Sequence, residues 1–466
     1  MKNFSPAILA VAIYLSAPIC GIAQTAANTP ASKSTTADEI QSLRQELNAL
    51  RADYEARLQA LEQRLQAAQS NVVTTPVADT TNAAAPQTGS NGGANAFNPS
   101  MSLILSGGYT HTSQDPHSYH IAGFQLPTDT EAGPGPRGFS LAESELGLAA
   151  NIDPWLRGAA NIAFEPDNSV SIEEAYVQTT ALSHGLSVKA GRFFSGVGYL
   201  NSQHSHTWDF VDNPLAYQAI LGTQYDDDGV HVSWLAPTDQ YIELSAELGR
   251  GRSYPGTDTD RNSAGMNALM LHTGGDIGFS NSWRAGISTL YAKADDQELT
   301  TLDANGAPIT NSFTGTTRIW LVDAVWKWAP NGNAIRTNFK LQGEYLHSKR
   351  DGMLTYDLSG VNLLDAYQAR QSGWYVQGIY QFIPRWRVGL RTERLEVGNT
   401  DFGNTNLFAL NNDTPRKHTV MLDFSPSEFS RVRLQFARDY SRGDIADNQA
   451  FLQYQMSLGA HGAHSY

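Results

Sequence analysis

The segment NQAFLQYQMSLGA, residues 448–460, decides the fold class. Leu452, Tyr454, Met456, Leu458 and Ala460 share one parity, and Gln453, Gln455 and Ser457 share the other. A β-strand turns successive side chains to opposite faces, so this stretch makes one apolar face and one wet face. IRTNFKLQGEY, residues 335–345, repeats the scheme. Ile335, Thr337, Phe339, Leu341, Gly343 and Tyr345 face one way, and Arg336, Asn338, Lys340, Gln342 and Glu344 the other. Around Trp386, Val388 and Leu390 alternate with Arg385, Arg387 and Arg391; Val432, Leu434 and Phe436 alternate with Arg431, Arg433 and Gln435. A soluble sandwich alternates as well. Here the polar face carries long charged side chains strand after strand, and the runs reach roughly 10–15 residues where soluble strands cluster near 5–6.

Sixteen such runs can be marked, from 101–113 to 448–460. Connections after even runs are tight, as at Ile152-Asp153-Pro154, Pro237-Thr238 and Ile383-Pro384. Those after odd runs are mostly long: 114–137, 195–227, 251–264, 294–313, 349–370 and 398–413. Two odd connections, 166–168 and 442–447, are short. Short turns at one end and long loops at the other are what an outer-membrane barrel requires. The expectation for residues 100–466 is therefore an all-β transmembrane barrel of about 16 antiparallel strands, with a greasy exterior and a wet lumen.

The rest of the chain reads differently. Lys2 followed by a short apolar run from Pro6 to Ala17 predicts an export signal over residues 1–23, with Gly21-Ile22-Ala23 as the cleavage site. The one cysteine, Cys20, would leave with it, unless it is a lipid acceptor; Ala17-Pro18-Ile19 is a poor approach to such a site. Over residues 37–70, Ile40, Leu43, Leu47, Leu50, Tyr54, Leu58, Leu61, Leu65 and Ala68 form a heptad seam with one extra four-residue step. That predicts an α-helical coiled coil on the periplasmic side. Residues 71–99 are a linker rich in Ala, Thr, Asn, Gly and Pro. The net charge of −14 argues against nucleic-acid binding by bulk electrostatics. A mean hydropathy of −0.35 argues against a polytopic helical membrane protein, while alternating strands escape that measure.

Several phrases carry a family resemblance: FSLAESELGL (139–148), NIDPW (151–155), Glu173-Glu174-Ala175-Tyr176, Gly191-Arg192-Phe193-Phe194, and GYLNSQHSHTWDFVDNPL (198–215). With them the chain resembles the sixteen-stranded Gram-negative porins, particularly the phosphate-selective porin-like group. It also resembles so-called zinc-regulated outer-membrane receptor proteins. The resemblance implies a non-enzymatic outer-membrane channel for passive diffusion of small solutes. It implies outer-membrane lipid and the barrel-assembly machinery as partners, and a homotrimer held through barrel and coiled coil. The terminal Tyr466 fits a barrel-assembly signal, but His464 and Gly462 before it depart from the apolar pattern.

In such porins the loop after the fifth strand folds inward and sets the constriction. Here that connection is the longest, and it carries His204, His206, Trp208, Asp209 and Asp212. Imidazoles and carboxylates at close spacing can hold zinc, which makes His204, His206 and Asp209 metal candidates. The plainer reading is that these residues hydrogen-bond the loop to the wall. Arg336, Lys340, Arg385, Arg387, Arg391, Arg431 and Arg433 fall on polar faces of late strands, and Glu143 and Glu145 on the inner face of the second. A cationic wall facing an acidic loop would set a transverse field and an anionic preference; charge that merely keeps the lumen wet is the alternative. His111, His117, His120, His461 and His464 read as solvated histidines, or as zinc concentrators near the mouth. No P-loop, GxSxG, HExxH or strand-to-helix GxGxxG occurs, so no catalytic residues are assigned and no cofactor is required. Two readings compete with a diffusion porin: a role in zinc or metal uptake, and a coiled-coil tether reaching toward the cell wall from a barrel anchor.

Overall fold

The computed structural model describes residues 99–459, apart from 129, 261, 304 and 404–412. The export signal, the coiled coil, nearly all of the linker and the terminal Tyr466 lie outside the described residues.

The described chain is one closed antiparallel barrel. β1 is Ser100–Thr112. β2 has two runs, Gly138–Leu141 and Ser144–Asn151. β3 (Leu156–Phe164), β4 (Val170–Thr179), β5 (Leu186–Phe194), β6 (Asp226–Leu235), β7 (Tyr241–Gly249) and β8 (Met266–Ile277) follow. The longer strands are β9 (Asn281–Leu302), β10 (Pro308–Trp328), β11 (Asn338–Tyr356), β12 (Leu363–Ile383) and β13 (Trp386–Phe402). β14 (Arg416–Ser427), β15 (Ser430–Asp439) and β16 (Asp447–Gly459) complete the wall. Each pairs with its sequence neighbour, and β16 returns to β1, Ser102 opposite Gly459 and Thr112 opposite Gln449. The two runs of β2 count once, and the two-residue bridge Leu126–Pro127 is loop backbone paired to Leu299 and Thr300 of β9. That leaves sixteen wall strands and no free sheet edge.

Period-two patterning becomes inside and outside. Leu390, Trp320, Leu452 and Tyr454 are exposed on the outer face, Leu390 by 64%. Arg391, Gln342, Glu344 and Gln455, of the other parity, are buried on the inner face. An apolar belt of that extent around a whole barrel is tenable against lipid and not against water.

Two expectations need correction. Connections 294–313 and 349–370 are not long loops: β9 and β10 meet at a turn over 303–307, and β11 and β12 at 357–362. These hairpins are stiffened by an inner cluster containing Leu299, Phe313, Leu354, Tyr356, Tyr367 and Phe402, so chain that reads as loop is strand. The lumen is also not wet throughout. Met266, Ala268, Met270, Leu290, Ile319, Leu321 and Leu346 make the inner faces of β8–β11 apolar beneath the long-loop end. They pack against Ile121, Phe124 and Leu126 of the β1–β2 loop and against a short helix, α1 (Leu215–Leu221), in the loop after β5.

Candidate functional site

The loop between β5 and β6, residues 195–225, lies against the inner wall, and its docking begins with backbone. Wall carboxylates receive its amide groups. Glu344 of β11 accepts from the Tyr199 and Leu200 N–H groups at 3.1 and 3.0 Å, and from the Tyr217 and Tyr375 hydroxyls at 2.8 and 2.6 Å. Glu247 of β7 accepts from the Ser195 hydroxyl at 2.5 Å and the Gly196 N–H at 2.9 Å. Glu393 of β13 accepts from the Leu215 N–H, the first amide of α1, at 2.6 Å. A helix start leaves its first amides without intrahelical partners, and an anion there satisfies them. All seven residues of α1 are buried, so the loop has a dry seat as well as polar anchors.

The side chains then sort by charge. His204 sits among the acids of β2 and β4. Its Nδ1 is 3.2 Å from Glu173 and 3.4 Å from Glu145, and its Nε2 is 3.1 Å from Glu174 and 2.8 Å from Asn161. His206 Nδ1 is 2.8 Å from Glu145, and the two rings stack with centroids 5.6 Å apart. Ser205 donates to Glu143. Burial alone would lower the His204 pKa, but hydrogen bonds to Glu173 and Glu174 raise it well above its ordinary value. The imidazole is therefore held as a cation where no metal replaces its proton.

Five residues after His204, the loop meets the opposite sign. Asp209 pairs with Lys340 and, at 3.1 Å, with Arg387. Asp212 pairs with Lys417 and, at 2.8 Å, with Arg391, and accepts from Gln435 at 2.7 Å. Burial would raise both carboxyls; Lys340 and Arg387 for Asp209, and Arg391 and Lys417 for Asp212, hold them below the usual carboxylate range. Trp208 donates its indole N–H to the Gln203 carbonyl at 2.9 Å, and its own carbonyl accepts from Arg433 at 2.9 Å. Arg431 donates to neutral oxygens: the His206 carbonyl at 2.9 Å, the Trp208 carbonyl at 3.4 Å and the Gln455 amide at 2.5 Å. Arg433, almost fully buried, is 3.6 Å from Asp423, which Arg387 already engages at 2.6 Å.

The expected transverse arrangement is thereby changed. The loop acids do not face the basic wall across water; they are bonded to it, and the opposing sectors are both wall. Arg336 and Arg385 leave the set: Arg336 is exposed in the turn between β10 and β11, and Arg385 is exposed in the β12–β13 turn with φ 72°. Asp209 leaves the metal candidates, because its oxygens are held by Lys340 and Arg387. The donor group that converges is Glu145, Glu173 and His204, whose ligand atoms lie within 4.8 Å of one another. One nitrogen and two carboxylate oxygens suit a divalent cation of zinc type. Glu344, Glu247, Glu393, Asp423 and Lys417 were not among the sequence candidates. Their shared signal is the inner parity of their strands.

The family model described as phosphate-selective porin O and P matches residues 156–397. An uncharacterized protein of Aquifex aeolicus strain VF5 is 30% identical over 400 residues, 80% of each chain. The fold is similar to the anion-selective porin from Comamonas acidovorans, with 10% identity and a TM-score of 0.47 over 78% of this chain and 99% of that one. It is similar also to Pseudomonas putida OprB, with 15% identity and a TM-score of 0.46 over 78% and 94%.

Proposed function

The chain belongs to the phosphate-selective porin O and P family and is an outer-membrane channel of porin type; from that premise we propose that it favours small anions and that Arg431 is the cation they meet. The observation that carries this reading is the set of partners around the docked loop. Asp209 and Asp212 are spent on Lys340, Arg387, Arg391 and Lys417. Arg431, half-buried on the inner face, has only neutral oxygens for partners among the described residues. Its charge is left for a passing anion, and a guanidinium suits phosphate or carboxylate through its planar fork. Reversal potentials across a potassium chloride gradient test it in planar bilayers. Chloride should permeate faster than potassium, and Arg431→Gln should lower the ratio. Equal permeation of the two ions in the unaltered channel would remove the anionic reading.

A second reading rests on Glu145, Glu173 and His204. Under it, a divalent cation bridges the loop to β2 and β4, either as cargo or as a staple. Zinc titrated into the detergent-solubilised barrel near neutral pH should bind, and Glu173→Gln should abolish binding. Undetectable heat and no retained metal in the unaltered protein would dispose of this reading.

A further inference from the structure

The outer face carries a charge pattern that channel function does not use. Six consecutive strands, β10 to β15, each place one basic side chain outward: Arg318, Lys349, Arg370, Arg394, Arg416 and Arg438. Their parity is that of the apolar belt and opposite to that of the lumen set. Arg318, for example, precedes Trp320, which is 54% exposed, and Arg438 follows Phe436, which is 49% exposed. Each basic residue stands roughly ten residues along its strand from the short-turn end, the length with which a tilted strand crosses a hydrocarbon core. The row therefore lies where the belt gives way to headgroups at the long-loop end.

Register makes the row costly without a counter-ion. Arg318 is directly opposite Lys349, Lys349 opposite Arg370, and Arg394 opposite Arg416. Like charges facing each other across a ladder destabilise it. Two of the six have an acid beside them: Lys349 is 3.3 Å from Asp351, and Arg394 is 2.6 Å from Glu396. Arg318, Arg370, Arg416 and Arg438 form no ion pair among the described residues. Arg416 and Arg438 flank the Tyr440 ring at 4.4 and 5.4 Å, which orients their charge without neutralising it. Lys293 on the adjoining β9 shares the outward parity, and the row does not reach the opposite wall. At the long-loop end of β1 to β4 the outward residues are Tyr109, Phe139, Leu141, Phe164, Val170 and Ile172.

We infer that this arc docks phosphate groups carried by lipid headgroups of the surrounding outer leaflet, several guanidinium groups closing on each phosphate. Arginine forks bind phosphate oxygens bidentately, and at a membrane surface they do so beside low-dielectric acyl chains. The inference rests on the outward face meeting lipid, and conductance is read in parallel to keep the two apart.

The test uses the full-length, detergent-solubilised protein and native mass spectrometry with diphosphoryl lipid A, dephosphorylated lipid A and inorganic phosphate as probes. Diphosphoryl lipid A should be retained at least about tenfold better than its dephosphorylated form, and inorganic phosphate at equal concentration should not displace it. The quadruple variant Arg318→Gln, Arg370→Gln, Arg416→Gln, Arg438→Gln should lose that preference while keeping its single-channel conductance. A quadruple Arg→Lys variant should keep part of it. Equal retention of the two lipids by the unaltered protein overturns the proposal whether or not either variant folds. Displacement by inorganic phosphate overturns the lipid assignment, and undiminished preference in the glutamine variant overturns the arc. A protein that conducts but shows no lipid preference defeats this inference and leaves the channel standing.

Discussion

Asp212 shows how a single side chain can decide the position of a loop. Its side chain is 8% exposed, it pairs with Arg391 and Lys417, and it accepts from Gln435. Removing one partner of a buried charged cluster costs about 3–5 kcal/mol, because the remaining charges stay buried without compensation. Asp212→Ala should therefore loosen the loop and appear as noisy or enlarged unitary currents in single-channel recordings; currents indistinguishable from the unaltered channel would mean that the remaining anchors position it without Asp212. The pH dependence follows from the depressed carboxyls. A folded-state pKa below the unfolded value of about 3.9 gives stabilisation that is complete above that value and lost only as pH falls through the lower folded value. The difference in open-channel noise between the Asp212→Ala variant and the unaltered protein should therefore stay constant from pH 7 down to about pH 4. A difference that vanishes between pH 6 and 5 would show that the Asp212 carboxylate does not anchor the loop.

At the scale of elements, irregularities in the wall supply the site. FSLAESELGL places Phe139, Leu141, Glu143 and Glu145 on one parity, yet Phe139 is 89% exposed outside while Glu145 is buried inside. The reversal is made between Leu141 and Ser144, where β2 is interrupted and its register against β1 shifts by one residue. A second shift, between Asn161 and Ile162 of β3, leaves Glu173 as an extra residue on β4, so that Glu173 and Glu174 both reach His204. Bulges of this kind re-aim side chains, and here two of them gather the acidic sector. α1 is the complementary case. LAYQAIL is too short and too uniformly apolar to show a helical face. It becomes a helix because Glu393 receives its first amide, Gly222 at φ 66° ends it in the left-handed region, and it packs against β11 to β13.

For the whole molecule, charge divides the barrel into sectors. Inside, the acids of β2 and β4 and the bases of β11 and β13 to β15 each hold one part of the same loop. Outside, the basic arc occupies β10 to β15, while the outer surface of β2 to β5 has a shallow groove lined by Ala150, Gly158, Ala160, Ala175 and Ala190. A homotrimer, expected from the family resemblance, would set that small-residue sector against a second copy and leave the arc to lipid. Chemical crosslinking in intact outer membranes should trap a trimer, and Ala160→Arg should reduce its yield; monomer alone in the unaltered protein would remove the trimer.

The barrel was legible because every wall strand must answer lipid with one parity, and that demand writes itself into 335–345 and 448–460 without reference to any distant residue. The short turns were legible for the same local reason, whereas the inward course of the 195–227 connection came from the family resemblance and the loops at 294–313 and 349–370 were read too long. Tertiary structure alone decided what the residues of the inward loop touch. The ion partners of Asp212 come from β13 and β14, some two hundred residues away, and no local pattern links them. It also moved Arg336 and Arg385 into turns, exchanged Asp209 for Glu145 and Glu173 beside His204, and aligned six basic residues into an arc. Each of those outcomes depends on register between strands, and register is fixed by closure of the barrel and by bulges.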